Sequence, residues 1–292
     1  MKKSVLALAI LGAFAGVASA QSSVTLYGRA EAFVSFDKVG DLAGGSQAGE
    51  TITRLRDGAV GAGKVGSRWG LRGTEDLGNG LSAYFTLESG WDIDTGTSRQ
   101  AGRLFGRGAW VGLRSTSLGS IQFGRQDTFS RIAMFTIDPA ANGQIKVNDN
   151  LPVAGTTTAG SNASSPFAGA ARTIQIWDEF RSWDDNLIRY DTPKFSGFQL
   201  SAMLGLSESV SGADGTNARY QGLLATYASG PAALALSYEA YNGFGQSTYN
   251  KTVTFGGNYN FGFAKLFAGV QRTSDAGLRS ANPNTGVATT EY

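Results

Sequence analysis

The chain has 292 residues with 41 glycines, 11% aromatic and 16% charged residues, a formal net charge of +2, and neither cysteine nor histidine. Without those two residue types it cannot assemble a Ser-His-Asp or Cys-His nucleophile or a zinc site built on them, and disulfides take no part in its fold. Soluble domains usually carry about 25% charged residues and about 7% glycine, so this charge-poor, glycine-rich composition argues against a disordered tail and against a helical bundle.

Residues 1–20 stand apart. Lys2 and Lys3 precede an apolar run over residues 5–17, and Ala18, Ser19 and Ala20 supply the small-x-small ending of a cleavable signal peptide. The run is shorter than the roughly 20 residues a spanning helix needs. An exported domain is therefore expected over residues 21–292. With Lys2 and Lys3 set aside, the 25 basic residues become 23 and equal the 23 acidic ones. Net charge then points to no nucleic-acid partner.

From residue 24 onward, apolar and polar side chains alternate with the period of a β-strand. Val24, Leu26, Gly28, Ala30, Ala32, Val34 and Phe36 occupy one parity, and Thr25, Tyr27, Arg29, Glu31, Phe33 and Ser35 the other. The pattern returns as Leu81, Ala83, Phe85 and Leu87 against Ser82, Tyr84, Thr86 and Glu88. Further strands are expected over residues 66–74, 104–114, 120–127, 186–192, 198–205, 219–227, 234–241, 251–259 and 263–272. The connections alternate in length. Residues 75–80, 115–119, 193–197, 228–233 and 260–262 are tight Gly, Asn or Pro turns, whereas residues 37–63, 93–103, 128–185, 206–218 and 242–250 are long. That alternation is expected of an up-and-down antiparallel sheet with one end confined and the other open.

Strands of about 9 to 11 tilted residues span a bilayer, and only a closed barrel pairs all their backbone groups. A soluble barrel would turn its charges outward and fill its centre with aliphatic side chains. Here the polar parity carries Arg29, Glu31, Arg68, Arg72, Glu88 and Asp92, too many charges to bury dry at several kcal/mol each. A water-filled lumen removes that cost. The expected fold is all-β, an antiparallel up-and-down transmembrane β-barrel, with a soluble sandwich as the alternative that the pattern alone leaves open.

Residues 67–80, SRWGLRGTEDLGNG, followed by LSAYFTLESGW at 81–91, resemble the first hairpin of Gram-negative general porins. VTLYG at 24–28 is similar to that family's first strand, RGAWVGLR at 107–114 to its fourth, and GSIQFGRQ at 119–126 to the strand leading into its third loop. RYDTP at 189–193 and FSGFQL at 195–200 resemble a later hairpin. The resemblance implies a 16-stranded barrel in homotrimers, set in outer-membrane lipid and lipopolysaccharide, without cofactor or metal. Its third loop, within residues 128–185, would fold inward to narrow the pore. About 11 strands are legible in the sequence, and residues 282–290 read as a loop before Glu291 and Tyr292 open another, so roughly the last five strands are expected to be absent from it.

Parity puts Arg29, Arg68 and Arg72 on one lumenal wall. The resemblance adds Arg107 and Arg125, whose positions match basic residues lining the family's constriction; for Arg107, periodicity alone is ambiguous. Counter-charges are expected from Asp138, just before Pro139, and from Glu31, Glu88, Asp92 and Asp127. Many family members carry an acid after that proline, where this chain has Ala140, so the constriction is expected to be weighted toward arginine and the pore toward anions. Trp69, Trp91, Trp110, Phe85 and Tyr259 read as interface or subunit-contact aromatics, leaving Tyr27, Phe33 and Tyr84 as inward ones.

The function expected is passive diffusion of small hydrophilic solutes and ions through the outer membrane of a Gram-negative bacterium. The alternative is a barrel acting mainly as adhesin or envelope scaffold, whose long third loop would project outward. No nucleophile beside a tuned base is legible, so no enzyme is expected, and no catalytic residue. Asp92-Ile93-Asp94-Thr95-Gly96 is only part of a calcium loop, without its closing glutamate. Glu88 and Asp92, four residues apart on a strand, lie about 13 Å apart along it, beyond the span of a glycosidase pair.

Overall fold

The computed structural model describes residues 23–38, 51–57, 66–100, 102–137, 139, 182–206, 219–242 and 250–274. The first strands are β1 (Ser23–Arg29), β2 (Ala32–Lys38), β3 (Thr51–Asp57), β4 (Arg68–Gly78) and β5 (Leu81–Gly90). They are followed by β6 (Gly108–Ser115), β7 (Gly119–Asp127), the helix α1 (Phe129–Ile137), β8 (Trp183–Asp191) and β9 (Phe198–Gly205). The last are β10 (Arg219–Ser229), β11 (Ala232–Asn242), β12 (Asn250–Asn260) and β13 (Lys265–Ser274).

Among the described residues eleven strands form one sheet in the order β1-β4-β5-β6-β7-β8-β9-β10-β11-β12-β13, and β2 pairs with β3 separately. Every pairing is antiparallel between neighbours in the chain, apart from β1 with β4. β1 and β2 follow one another across Ala30 and Glu31 and keep the single alternation read from the sequence. The expected connection over residues 37–63 is corrected by β3: its Thr51–Asp57 segment pairs with β2 through Val34 opposite Leu55. The fourth predicted strand also starts later, at Gly108, because residues 102–107 run in turns.

The tight connections close as sequence chemistry requires. Asn79 between Gly78 and Gly80, and Ser196 beside Gly197, all take left-handed backbone, φ 47–87°, a region short polar residues and glycine enter at low cost.

The two faces of the sheet are opposites. Leu26 is 69% exposed, and Val111, Phe123, Leu200, Leu204, Leu223, Leu236, Phe255 and Val270 are exposed with it. Register puts Phe85 opposite Val111 and Leu87 opposite Ala109, on that same outward parity. On the other face Asp191, Ser201, Ser237, Glu239, Thr252 and Thr254 are buried. A soluble sheet would present the reverse; apolar surface outward and polar surface inward suits a wall between lipid and a lumen.

The hydrophobic core lies beneath α1 rather than between two sheets. Phe129, Ala133 and Ile137 recur every four residues along one stripe of the helix and pack with Met134 against Leu187, Met203, Tyr220, Leu224, Ala235 and Tyr241. The helix follows β7, lies on the polar-parity face of β10, β11 and β12, and so runs across the inside of the curved sheet.

Candidate functional site: a charged inner wall and the helix facing it

On β1 and β4–β6 the inward residues form a charged wall organised by Glu88. The Tyr27 hydroxyl donates to Glu88 Oε2 at 3.0 Å, Arg107 Nε donates to Glu88 Oε1 at 2.6 Å, and Arg68 Nε lies 3.9 Å from Oε2. Tyr27 reaches across β4 because Gly70 stands directly opposite it; a Cβ at Gly70 would come within 2.8 Å of the tyrosine ring and hydroxyl. One carboxylate thus serves two guanidiniums and a phenol. Arg107 lies just before β6 and turns inward at a strand end, which is why period-2 parity could not assign it.

Toward the long-connection end, Arg29 pairs with Glu31. The Glu31 N–H donates to Ser67 Oγ at 2.9 Å, and the Ser67 N–H in turn approaches both Asp57 oxygens at 3.3 Å. Asp57 is 1% exposed, receives the Ile93 N–H at 3.4 Å and lies 3.8 Å from Arg99, which also pairs with Asp92. This chain of contacts ties β3, the start of β4 and residues 91–99 together. Asp92 is engaged by Arg99 and by the Thr97 hydroxyl, so it belongs to an ion-pair knot, and among the described residues no cluster suited to a metal ion occurs.

The wall meets α1 through an indole. The guanidinium carbons of Arg107 and Arg131 lie 5.0 Å and 4.2 Å from the Trp183 ring centroid. Arg131, on the helix, also pairs with Asp127 at 2.7 Å. Cations over an indole face are attracted by its quadrupole, by about 0.5–2 kcal/mol each. At the other side of the lumen the ends of α1 are held by the sheet. The Phe129 N–H donates to the Tyr220 hydroxyl at 3.0 Å, and that hydroxyl donates to Glu239. Asn258 Nδ2 donates to the Thr136 carbonyl at 2.7 Å. Backbone groups that a helix leaves unpaired at its termini are thereby satisfied by wall side chains.

The predicted residues fall into groups. Arg29, Glu31, Arg68, Glu88 and Arg107 share the networks just described. Arg72 lies on the same face, its guanidinium 5.4 Å from the Tyr27 ring, exposed and without an ion pair to any described residue. Arg125 stands apart: a register shift at the end of β7 leaves it bonded to the Gly106 carbonyl at 2.7 Å and to Asp185 at 2.8 Å, with Arg103 on the same carboxylate. Asp138 lies outside the described residues. Sequence reasoning missed Asp57, Arg99, Arg131 and Trp183: Asp57 ends β3 and Trp183 opens β8, both inside segments read as loops, while Arg99 sits in a connection and Arg131 on α1; the four-residue stripe from Phe129 to Ile137 was the one readable clue to the helix.

Trp110 is corrected. It pairs with Thr86, on the parity of Glu88 and Tyr84, and its ring meets Tyr84 edge-on at 5.3 Å, so it faces inward. Trp69 does face outward, 39% exposed, against Phe105.

Among the described residues the arrangement offers fixed charges on the inner face and no nucleophile aligned with a base. An apolar-out wall, ion pairs within and a helix crossing the interior define a membrane channel barrel. A sequence model described as Gram-negative porin matches residues 7–292, and the chain belongs to that family: an outer-membrane β-barrel porin of Gram-negative type. It is 36% identical over 295 residues to an outer membrane porin protein of Bordetella pertussis, covering 94% of this chain and 70% of that one. It is 34% identical over 286 residues to outer membrane porin protein 32 of Delftia acidovorans, with the same coverage. Among solved structures it resembles the anion-selective porin from Comamonas acidovorans, at 29% identity and a TM-score of 0.56, over 87% of this chain and 68% of that one. The family's members are channels.

Proposed function

We propose that this porin lets small hydrophilic solutes and ions diffuse passively through water, that it favours anions, and that it acts as a homotrimer after loss of residues 1–20 as a signal peptide. The observation that carries the selectivity is the excess of guanidinium over carboxylate on the charged wall. Glu88 is shared by Arg68 and Arg107, and Arg72 has no acid partner among the described residues. Wall charges act across about 8 Å at physiological salt, and arginine stays charged beside other arginines. The likeness to a porin whose title calls it anion-selective supports the same sign.

Sieving and a transverse field suffice, so no bond is made or broken and no enzyme activity is proposed. The seating of α1 against the inner face of β10–β12 favours a narrowed passage over an adhesin, which would hold that segment outside. The test is the reversal potential of the reconstituted protein in a salt gradient. Arg29→Ser, Arg68→Ser, Arg72→Ser and Arg107→Ser should each move it toward cations, and four unmoved values would overturn the arginine-wall reading.

A further inference from the structure

Below the Glu88 cluster, toward the tight turns, the inner face of β4–β6 changes character. Arg72 is in register with Thr86 and Thr86 with Trp110; one step on, Tyr84 is in register with Gly112, and then Ser82 with Arg114. Trp110 and Tyr84 touch edge-on at 5.3 Å, and the Arg114 guanidinium lies 4.4 Å from the Tyr84 ring centroid. Gly112 makes this possible, since a Cβ there would come within 3.1 Å of that ring. The result is an indole edge-on to a tyrosine that Arg114 covers, with Arg72 in the same register row as Trp110 but two strands away, its guanidinium over Tyr27.

Neither arginine has an ion pair to a described residue. Of the acids nearby, Asp191 is held by Arg189 at 2.8 Å and by Gln122 at 3.1 Å, and Asp76, in register with Ser82, accepts its own turn's Gly78 N–H at 2.8 Å. Tyr84 is 6% exposed, so of the two rings the half-buried Trp110 is the one left accessible. We propose that this strip is a subsite for aromatic carboxylates: the ring of the solute stacks on Trp110 while its carboxylate passes from the Arg72 guanidinium to that of Arg114. Inorganic anions and acetate would meet only the charges, so the strip would retain planar aromatic acids among the anions admitted.

This inference rests on the porin reading, and one experiment separates the two. The full chain is reconstituted in planar bilayers and conductance is recorded in potassium chloride, then with benzoate, with acetate and with cyclohexanecarboxylate added. Benzoate is expected to produce concentration-dependent current block that acetate lacks and cyclohexanecarboxylate shows more weakly. Trp110→Ala and Arg114→Ser should each weaken benzoate binding about three- to tenfold, with Trp110→Phe retaining most of it. Conductance of each variant in potassium chloride reports that it has folded, and Trp110→Phe covers the case in which Trp110→Ala does not. Open channels on which benzoate and acetate act alike, or a benzoate block unchanged in folded Trp110 and Arg114 variants, would overturn the subsite alone. Absence of any channel in potassium chloride would overturn the porin reading itself.

Discussion

The two sides of the lumen use one strand pattern for different ends. On β4–β6 the inward positions carry Arg68, Arg72, Glu88 and Arg114, whose charges are matched by ion pairs or left facing water. On β10–β12 the inward positions are Gly222, Leu224, Ala235, Ser237, Thr252 and Thr254, small or neutral, and most are buried beneath α1. A Cβ at Gly222 would come within 2.8 Å of Phe129, so the helix lies close to the sheet. Inward therefore means hydrated on one wall and dry on the other. Charge is affordable on the first side; on the second, the buried acid Glu239 is met by the Tyr220 hydroxyl and by Ser130 at the helix N-terminus.

That contrast can be broken most strongly on the dry side. Phe129 is fully buried among Leu187, Met203 and Tyr220, and Phe129→Ala should loosen the helix by about 3–4 kcal/mol. Trypsin cleavage after Arg131, buried in the folded protein, should accelerate sharply, and single-channel conductance should become larger and noisier. Glu239→Leu leaves the Tyr220 hydroxyl, which holds the Phe129 N–H, without its acceptor, a loss of about 2–3 kcal/mol. The same protease assay should rank it below Phe129→Ala, with Glu239→Gln milder because its amide oxygen still accepts.

On the hydrated side the effects are smaller and appear in selectivity instead of stability. Glu88→Gln removes the carboxylate shared by Arg68 and Arg107 and should move the reversal potential further toward anions. Removing Arg29 and Glu31 together deletes a neutral pair and should leave it almost unmoved, whereas Arg72→Ser alone should move it toward cations. Both shifts should shrink as salt is raised and screening shortens the reach of the wall charges to about 3 Å at 1 M. Equal responses from the neutral pair and from Arg72 would erase the distinction between engaged and free arginines.

What the sequence made legible follows from the same contrast. Strands whose alternation sets Leu26, Phe85 or Leu87 against Arg29 or Glu88 could be read, with their tight turns, because lipid and water impose opposite chemistry on successive residues. β3 was hidden because Thr51–Asp57 offers one large outward side chain, Leu55, in a glycine-rich stretch. α1 was hidden because its period is 3.6 and it sits in a segment read as a loop. Trp110 was misjudged because an aromatic beside an apolar stripe suits either face, and only its register with Thr86 and Tyr84 decides. Arg107, Arg131 and Trp183 meet through tertiary approach from three separate elements, which no local pattern encodes.

The central claim is that a water-filled, positively weighted passage runs along the charged wall. Its most direct test is the zero-current potential of the reconstituted full chain under a tenfold potassium chloride gradient. Open channels whose potential has the sign of chloride preference, falling toward zero selectivity in Arg72→Ser, are the predicted result. Cation preference in the unmodified protein, or bilayers that never conduct, would contradict it.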